Sequence, residues 1–335
     1  MKRLVAVFLA AFLLMGVMTA SGETIRLQLN DTNTSEHPTG MADIYFAQLV
    51  KERTNGRIDI EVFTGGVLYG SEPEAIEALT IGDLAFARVA SGPVAEFVPA
   101  LNALQMPYIF TGQEHMWAVL NGEIGQKLLE DVQASGSGMI GLCFYDSGSR
   151  SFYTREQVIV PADLAGKKIR MMDNRSMVHM TELLGATPVV GIGPSDIFGA
   201  ITTGTIDGAE NNYTTYYTKG DYKAAGFFVE DGHLRTPEVL LASEAALKNA
   251  GLTEEDIQLI KDIAKETTEY QIKVWNELEV KYKQALLDDG VVITTLTDEQ
   301  IAEYQKKVKP MWEDPDYGGK YTDVIEKIVA VGESL

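Results

Sequence analysis

Gly148-Ser149-Arg150, Pro161-Ala-Asp-Leu-Ala-Gly-Lys-Lys-Ile-Arg170, Leu184-Gly-Ala-Thr-Pro188 and Gly204-Thr-Ile-Asp-Gly-Ala-Glu-Asn-Asn212 follow one another in a single stretch of this 335-residue chain. The stretch reads as a strand-turn-strand-helix series that brings two arginines and an asparagine to the ends of segments. Arg150 follows a Gly-Ser turn and precedes the apolar pair Phe152 and Tyr153, and Arg170 closes a short run after the turn Gly166-Lys167-Lys168. A guanidinium is planar, always charged and grips a carboxylate through two parallel hydrogen bonds, which lysine cannot do. The pattern predicts an anion clamp.

Upstream, Thr24 to Leu29 alternates apolar and polar residues as a strand does, ending at Asn30-Asp31. A helix follows from about Gly40 to Thr54 and is broken at Asn55-Gly56, and a second alternating strand runs from Arg57 to Phe63. Glu72 to Ile81 reads as a helix, and Leu84 to Ala87 as a third strand with Arg88 at its end. This βαβαβ order predicts an α/β fold with a mostly parallel sheet, whose ligands sit beyond the carboxyl ends of the strands. Asn30 and Arg88 fall there.

Val98 to Phe110 reads as a proline-punctuated connector, Glu114 to Ala134 as a helix with a break at Asn121-Gly122, and Gly138 to Tyr145 as an apolar strand. The longest helical signal runs from Thr253 to Asp289, with Thr253 as cap and Glu254, Glu255 and Asp256 favourable in the first turn. One helix of that length would brace two lobes; the alternative is two helices kinked near Glu269 to Lys273. Further helices are expected at Asp298 to Val308 and Tyr321 to Val331.

Lys2 and Arg3, the apolar run Leu4 to Met18 and the small residues Thr19 to Gly22 have the order of a secretory signal, cleaved near Ala20 to Gly22. The expectation is an exported, periplasmic protein. Without Lys2 and Arg3 the formal charge falls from −20 to −22, a surface that repels nucleic acid and anionic lipid. Any anion must then be held by a few local arginines. Cys143 is the only cysteine, so no intrachain disulfide forms, and its apolar neighbours predict a buried structural thiol.

Taken together, these motifs resemble those of the solute-binding proteins of tripartite ATP-independent periplasmic (TRAP) transporters. The likeness is carried by Gly148 to Arg150, Asp163 to Arg170, Gly185-Ala186 with Pro188, Gly204 to Gly208 and Glu210-Asn211. It extends from about Glu23 to the C-terminus through Gly56 to Ile60, Gly66 to Leu68 and Met106 to Tyr108. The resemblance implies a two-lobe periplasmic binding protein fold, with hinge strands and a long helix spanning both lobes. Residues 23–147 with 236–275 would form lobe I, and 148–235 with 276–335 lobe II.

It also implies roles. Arg170 would pair bidentately with a substrate carboxylate, Arg150 would support it, and Asn211 would touch the ligand. Ala87 to Ser91, Pro99, Met106-Pro107, Glu210 to Asn212 and Pro237-Glu238 resemble a branch that takes hexuronates and related sugar acids. On that reading Arg88, His37, Glu72, Glu238 and Asn174 complete the ligand contacts. Tyr213 departs from the pattern, which expects proline there. The plainer readings are that Arg150 pins the hinge, that Arg88 pairs with Glu72 or Glu96, and that Asn211 caps the following helix.

The resemblance implies a small organic acid as ligand, TRAP membrane permease subunits as partners, a monomer, and no part for nucleic acid. The ligand expected first is a hexuronate such as glucuronate or galacturonate; a C4-dicarboxylate is the alternative. A secreted enzyme acting on acidic sugars would need paired carboxylates across a cleft, or a nucleophile beside a base. The chain has no Gly-x-Ser-x-Gly elbow, no His-Glu-x-x-His and no phosphate loop, and its four histidines lack metal-ligand spacing. The expectation is therefore a protein that is not an enzyme and uses neither metal nor cofactor. A sensor partner of a membrane receptor would share the same fold.

Overall fold

A computed structural model describes residues 23–335. The expected signal segment lies outside the described residues. The chain opens with β1 (Ile25–Asp31), α1 (Pro38–Arg53), β2 (Ile58–Phe63), α2 (Glu72–Ile81) and β3 (Phe86–Ala90). α3 (Ser91–Phe97), α4 (Gln113–Leu120), α5 (Glu123–Ala134) and β4 (Met139–Tyr145) follow, so the helix expected from Glu114 to Ala134 is indeed divided at Asn121-Gly122. The second lobe is built from β5 (Ser151–Thr154), β6 (Lys168–Arg170), α6 (Arg175–Leu184), β7 (Thr187–Val189), α7 (Ile197–Thr202), β8 (Gly208–Asn211), α8 (Tyr213–Thr218) and β9 (Phe227–Glu230). The chain then returns as β10 (Glu238–Ser243) and α9 (Glu244–Asn249). It finishes with α10 (Glu254–Asp288), β11 (Val292–Thr295), α11 (Asp298–Val308) and α12 (Thr322–Glu333).

Two sheets result, in the orders β2-β1-β3-β10-β4 and β11-β9-β5-β8-β6-β7. In lobe I, β1 runs parallel to both β2 and β3, as the βαβαβ reading predicts, while β10 is inserted antiparallel between β3 and β4. That insertion lengthens β3 beyond Ala87. Arg88 is therefore a mid-strand residue, paired in register with Asp31 on one side and Leu240 on the other.

The long helix is unbroken over 35 residues, about 52 Å at 1.5 Å per residue. Thr253 and Asp256 close a capping box at its start, and Arg57 pairs with the same Asp256. Ile260, Ile263 and Ala264 lie in a lobe I core, whereas Leu286 lies in a lobe II core with Tyr153, Tyr216 and Phe228. The helix thus belongs to both lobes, and the kinked alternative is not adopted.

The C-terminal segment differs from the expected division. Tyr304, Val308 and Met311 fill a lobe II core, but Ile325 and Ile328 of α12 pack into the lobe I core with Met116 and Val119. Once α11 has covered lobe II, the apolar face of α12 finds cover only by crossing back, where the Ile328 carbonyl accepts from His115 Nε2 at 2.7 Å. Residues 322–333 therefore belong with lobe I.

Candidate functional site

Strand register assembles the site. Ser151 pairs with Asn211 and Phe152 with Glu210 in the antiparallel β5-β8 pair, while Arg170 aligns with Ala209 in the parallel β6-β8 pair. Arg150, Arg170, Glu210 and Asn211 consequently meet at one end of the central strands of the lobe II sheet. Across the cleft, the β1-β3-β10 register brings Asp31, Arg88 and Glu238 together. A cavity between the lobes is lined by Thr32, Glu72, Arg88, Arg150, Arg170 and Asn211, among others. Its free space is about 30 Å³, little more than one water occupies, so a larger ligand enters only when the hinge opens. A larger groove of about 690 Å³, between α5 and α10 beside β4, contains no arginine.

The three arginines have different amounts of donor capacity left, out of five N–H groups each. Arg88 has none. Its Nε and Nη2 go to Asp31, Nη2 also to Thr32 Oγ1 (2.8 Å), and Nη1 to Glu72 (2.7 Å) and Glu238. The expected donor to ligand hydroxyls is thus the buried centre of a carboxylate cage, as in the plainer reading with Glu72. Glu96, the other partner considered for it, instead accepts from Asn174 and the Arg175 amide.

Arg150 keeps one N–H. Glu210 takes Nε at 2.5 Å and Nη2 at 2.8 Å, the Glu210 carbonyl takes Nη2 again at 3.0 Å, and Asn211 Oδ1 accepts from Nη1 at 3.1 Å. Arg170 keeps four. Its Nε donates to the Ile192 carbonyl at 2.8 Å, and neither Nη atom has a partner among the described residues. Arg170 is 4% exposed and lines the cavity. It alone of the three retains the two parallel donors that a bidentate carboxylate contact requires.

Asn211 accepts from Arg150 and from Asn212, leaving its Nδ2 unpartnered among the described residues. The capping of α8 is done by Asn212, whose Oδ1 accepts from the Thr215 amide. Glu72 uses Oε1 for Arg88 and the Ala90 amide, and no described residue donates to its Oε2. Glu238 spends both oxygens, on Ser147 Oγ and Arg88. Tyr213 starts α8, gives its hydroxyl to Glu230 and stacks on Phe228.

His37 and Asn174 occupy other positions. His37 caps α1 by accepting from the Thr39 amide through Nδ1, and its Nε2 lies 3.2 Å from Thr215 Oγ1 of lobe II. Both ring nitrogens are thereby used within the protein. Asn174 caps α6 with its oxygen and sends Nδ2 to the Gly92 carbonyl, Glu96 and Asn102 of lobe I. Both side chains join the lobes and are not cavity-lining groups.

Burial raises the Asp31 carboxyl, but the Arg88 charge and hydrogen bonds outweigh it and hold it below its ordinary range. Burial also drives Glu72 upward, and Arg88 offsets this only in part. For Glu210, Arg150 and His233 overcome burial and leave the carboxyl at about 2. Burial, with Arg88 nearby, brings His37 down to about 3, so its ring is neutral. Cys143 is buried and pushed up to about 12, as a structural thiol should be.

Asp31, Thr32 and Glu210 were given no role from sequence. Asp31 is an acid at the end of the first alternating run, and Glu210 immediately precedes Asn211 in the quoted motif. Both signals were present.

Two α/β lobes joined by crossing strands and a shared helix, closing on a buried guanidinium with free donors, define a solute-binding protein of the periplasmic type. Residues 29–316 match the model of the bacterial extracellular solute-binding protein family 7, and the chain belongs to that family of TRAP solute-binding proteins. A solute-binding protein of Chromohalobacter salexigens is 35% identical over 296 residues, covering 86% of this chain and 85% of the relative. A TRAP periplasmic solute-binding protein of Xanthobacter autotrophicus with bound β-D-galacturonate superposes with a TM-score of 0.84 at 33% identity, covering 91% of this chain and 99% of that one. One from Pseudomonas putida with bound D-glucuronate gives 0.84 at 31% identity, covering 90% and 96%.

Proposed function

We propose that this protein captures a monocarboxylate sugar acid, a hexuronate such as glucuronate or galacturonate, and presents it to the membrane subunits of a TRAP transporter. The observation that carries the reading is the polarity of the cavity. At one end Arg170 offers four unclaimed N–H donors to a carboxylate, and Arg150 and Asn211 add donors beside it. At the other, three carboxylates surround one guanidinium, and Glu72 Oε2 is open to accept from a hydroxyl.

A sugar acid has a carboxylate for the first end and hydroxyl donors for the second. A C4-dicarboxylate would bring its second negative charge against Asp31, Glu72 and Glu238, with Arg88 already fully engaged. Like charges meeting where water is excluded repel strongly. The hexuronate reading is supported by the galacturonate and glucuronate bound in the similar proteins. The reading is capture without turnover, in the periplasm, by a protein working as a monomer. Binding to folded protein alone raises the melting midpoint by mass action. A thermal-shift screen after unfolding and refolding should therefore respond to hexuronates and not to succinate or malate. A response confined to the dicarboxylates would overturn the assignment.

A further inference from the structure

Arg150 is held from behind by a chain of buried groups that does not line the cavity. Glu210, 0% exposed, takes its Nε and Nη2. His233, also 0% exposed, places Nε2 3.5 Å from the Glu210 Oε2 that receives Arg150 Nε. On its other side His233 Nδ1 lies 2.7 Å from Asp231 Oδ2, and Asp231 Oδ1 accepts from the Phe152 amide at 3.0 Å. The Phe152 ring lies against the imidazole at 4.4 Å between centroids. Among the described residues His233 Nε2 has no hydrogen-bond partner, Glu210 Oε2 being the carboxylate oxygen it faces. A nitrogen buried this completely and directed at a carboxylate is costly unless it carries a proton to share.

We propose that His233 is a positioning residue for anion binding: as an imidazolium between Asp231 and Glu210 it fixes the Glu210 carboxylate, and so aims the remaining N–H of Arg150 into the cleft. This rests on the solute-binding reading of the site. The row Asp231, His233, Glu210, Arg150 alternates in sign and sums to zero. When His233 loses its proton the row becomes net negative beside the seat of an anionic ligand.

The environment favours the charged ring, because Asp231 and Glu210 overcome burial and raise it from 6.5 to about 9. Beyond Glu210 the row faces Arg150 and, past it, Glu238. Tyr108 and Tyr304 stand near Asp231, and burial moves both hydroxyls far above the usual range. Lys219, which donates to the Thr32 carbonyl of lobe I, is a second cation, drawn downward by burial. The comparison between wild type and His233→Gln separates the two.

The experiment uses the mature protein with D-glucuronate and D-galacturonate as calorimetric probes, and NMR of the His233 ring. Wild-type affinity should weaken severalfold as pH rises through about 9. His233→Gln should bind about tenfold more weakly at neutral pH, as loss of a charge-assisted contact implies, and should lose most of that pH dependence. Glu210→Gln should lower the ring's titration midpoint, and adding His233→Gln to Glu210→Gln should cost little more affinity. An unchanged midpoint in Glu210→Gln, or a His233→Gln protein with wild-type affinity and pH profile, overturns the proposal. If neither uronate binds the wild type, the ligand assignment fails, and the ring titration alone still decides whether His233 and Glu210 are linked.

Discussion

Gln271 pairs with Asp146 as a neighbouring strand would: its Oε1 accepts from the Asp146 amide at 2.8 Å and its Nε2 donates to the Asp146 carbonyl at 2.9 Å. The side chain of a helix thus continues the β4 ladder into the hinge. The Asp146 carboxylate then gathers Arg235 from the returning hinge segment and Gln113 and Trp117 from lobe I. Both hinge segments and α10 converge on this one residue.

Gln271→Ala leaves a buried amide and a buried carbonyl without partners. At about 1–3 kcal/mol for each unsatisfied group, the protein should lose roughly 2–6 kcal/mol of stability. Chemical denaturation measures this directly. A loss below about 0.5 kcal/mol, the range of ordinary surface substitutions, would mean the pairing contributes nothing.

Arg170→Ala should weaken hexuronate binding by about 3–5 kcal/mol, because the ligand carboxylate is left buried and unpaired. Arg170→Lys should recover only part of that, since an ammonium lacks the two parallel donors. Isothermal calorimetry on the two variants is the check. Equal affinities for Arg170→Ala and wild type would remove this residue from the site.

Glu72→Gln takes one negative charge from the cage and keeps an oxygen acceptor at its end. Glucuronate affinity should fall modestly, by about 1 kcal/mol as for one hydrogen bond, while C4-dicarboxylate affinity should rise. The ratio of the two dissociation constants is the informative quantity. Arg88→Met should instead destabilise the fold, by about 3–5 kcal/mol, because three buried carboxylates lose their shared cation.

His37 and Glu210 are among the groups that make acid unfavourable to the folded state. His37 has its folded value lowered to about 3 from 6.5, so between those values the unfolded chain takes up a proton that the folded one refuses. Its contribution is complete above about 6.5 and is lost progressively as pH falls toward 3. Glu210 is lowered from 4.5 to about 2, so its contribution is present above about 4.5 and is lost as pH falls through about 2. His37→Asn keeps a capping side chain and should flatten the upper part of the acid limb in melting experiments. If wild type and His37→Asn lose stability in parallel between those values, His37 is not the group responsible.

Much of the frame was legible because its signals are local. Alternation in Thr24 to Leu29, the Asn55-Gly56 break and the acidic first turn after Thr253 each report on a few neighbouring residues, and the corresponding elements formed. Arg170 reads in the sequence as the end of a short run, and it does end β6. What escaped depends on partners distant in sequence. Arg88 reads as a free donor until β10, 150 residues later, places Glu238 against it. His37 and Asn174 enter as ligand contacts through the resemblance, and only the folded lobes reveal Thr215 and Glu96 as their partners. α12 falls in lobe II in the expected division but packs on lobe I, since amphipathic spacing states that a face is covered and not by what.

The helix rooted in both cores sets the mechanics of capture. Because Ile260 and Leu286 are anchored in different lobes of one unbroken α10, the lobes cannot swing as independent plates on slack strands. Rotation about the hinge must appear as curvature along a rod of about 52 Å, borne by a small lengthening of many backbone hydrogen bonds on its convex side. The cleft therefore works against a leaf spring, with its travel limited by how far a helix bends before it breaks.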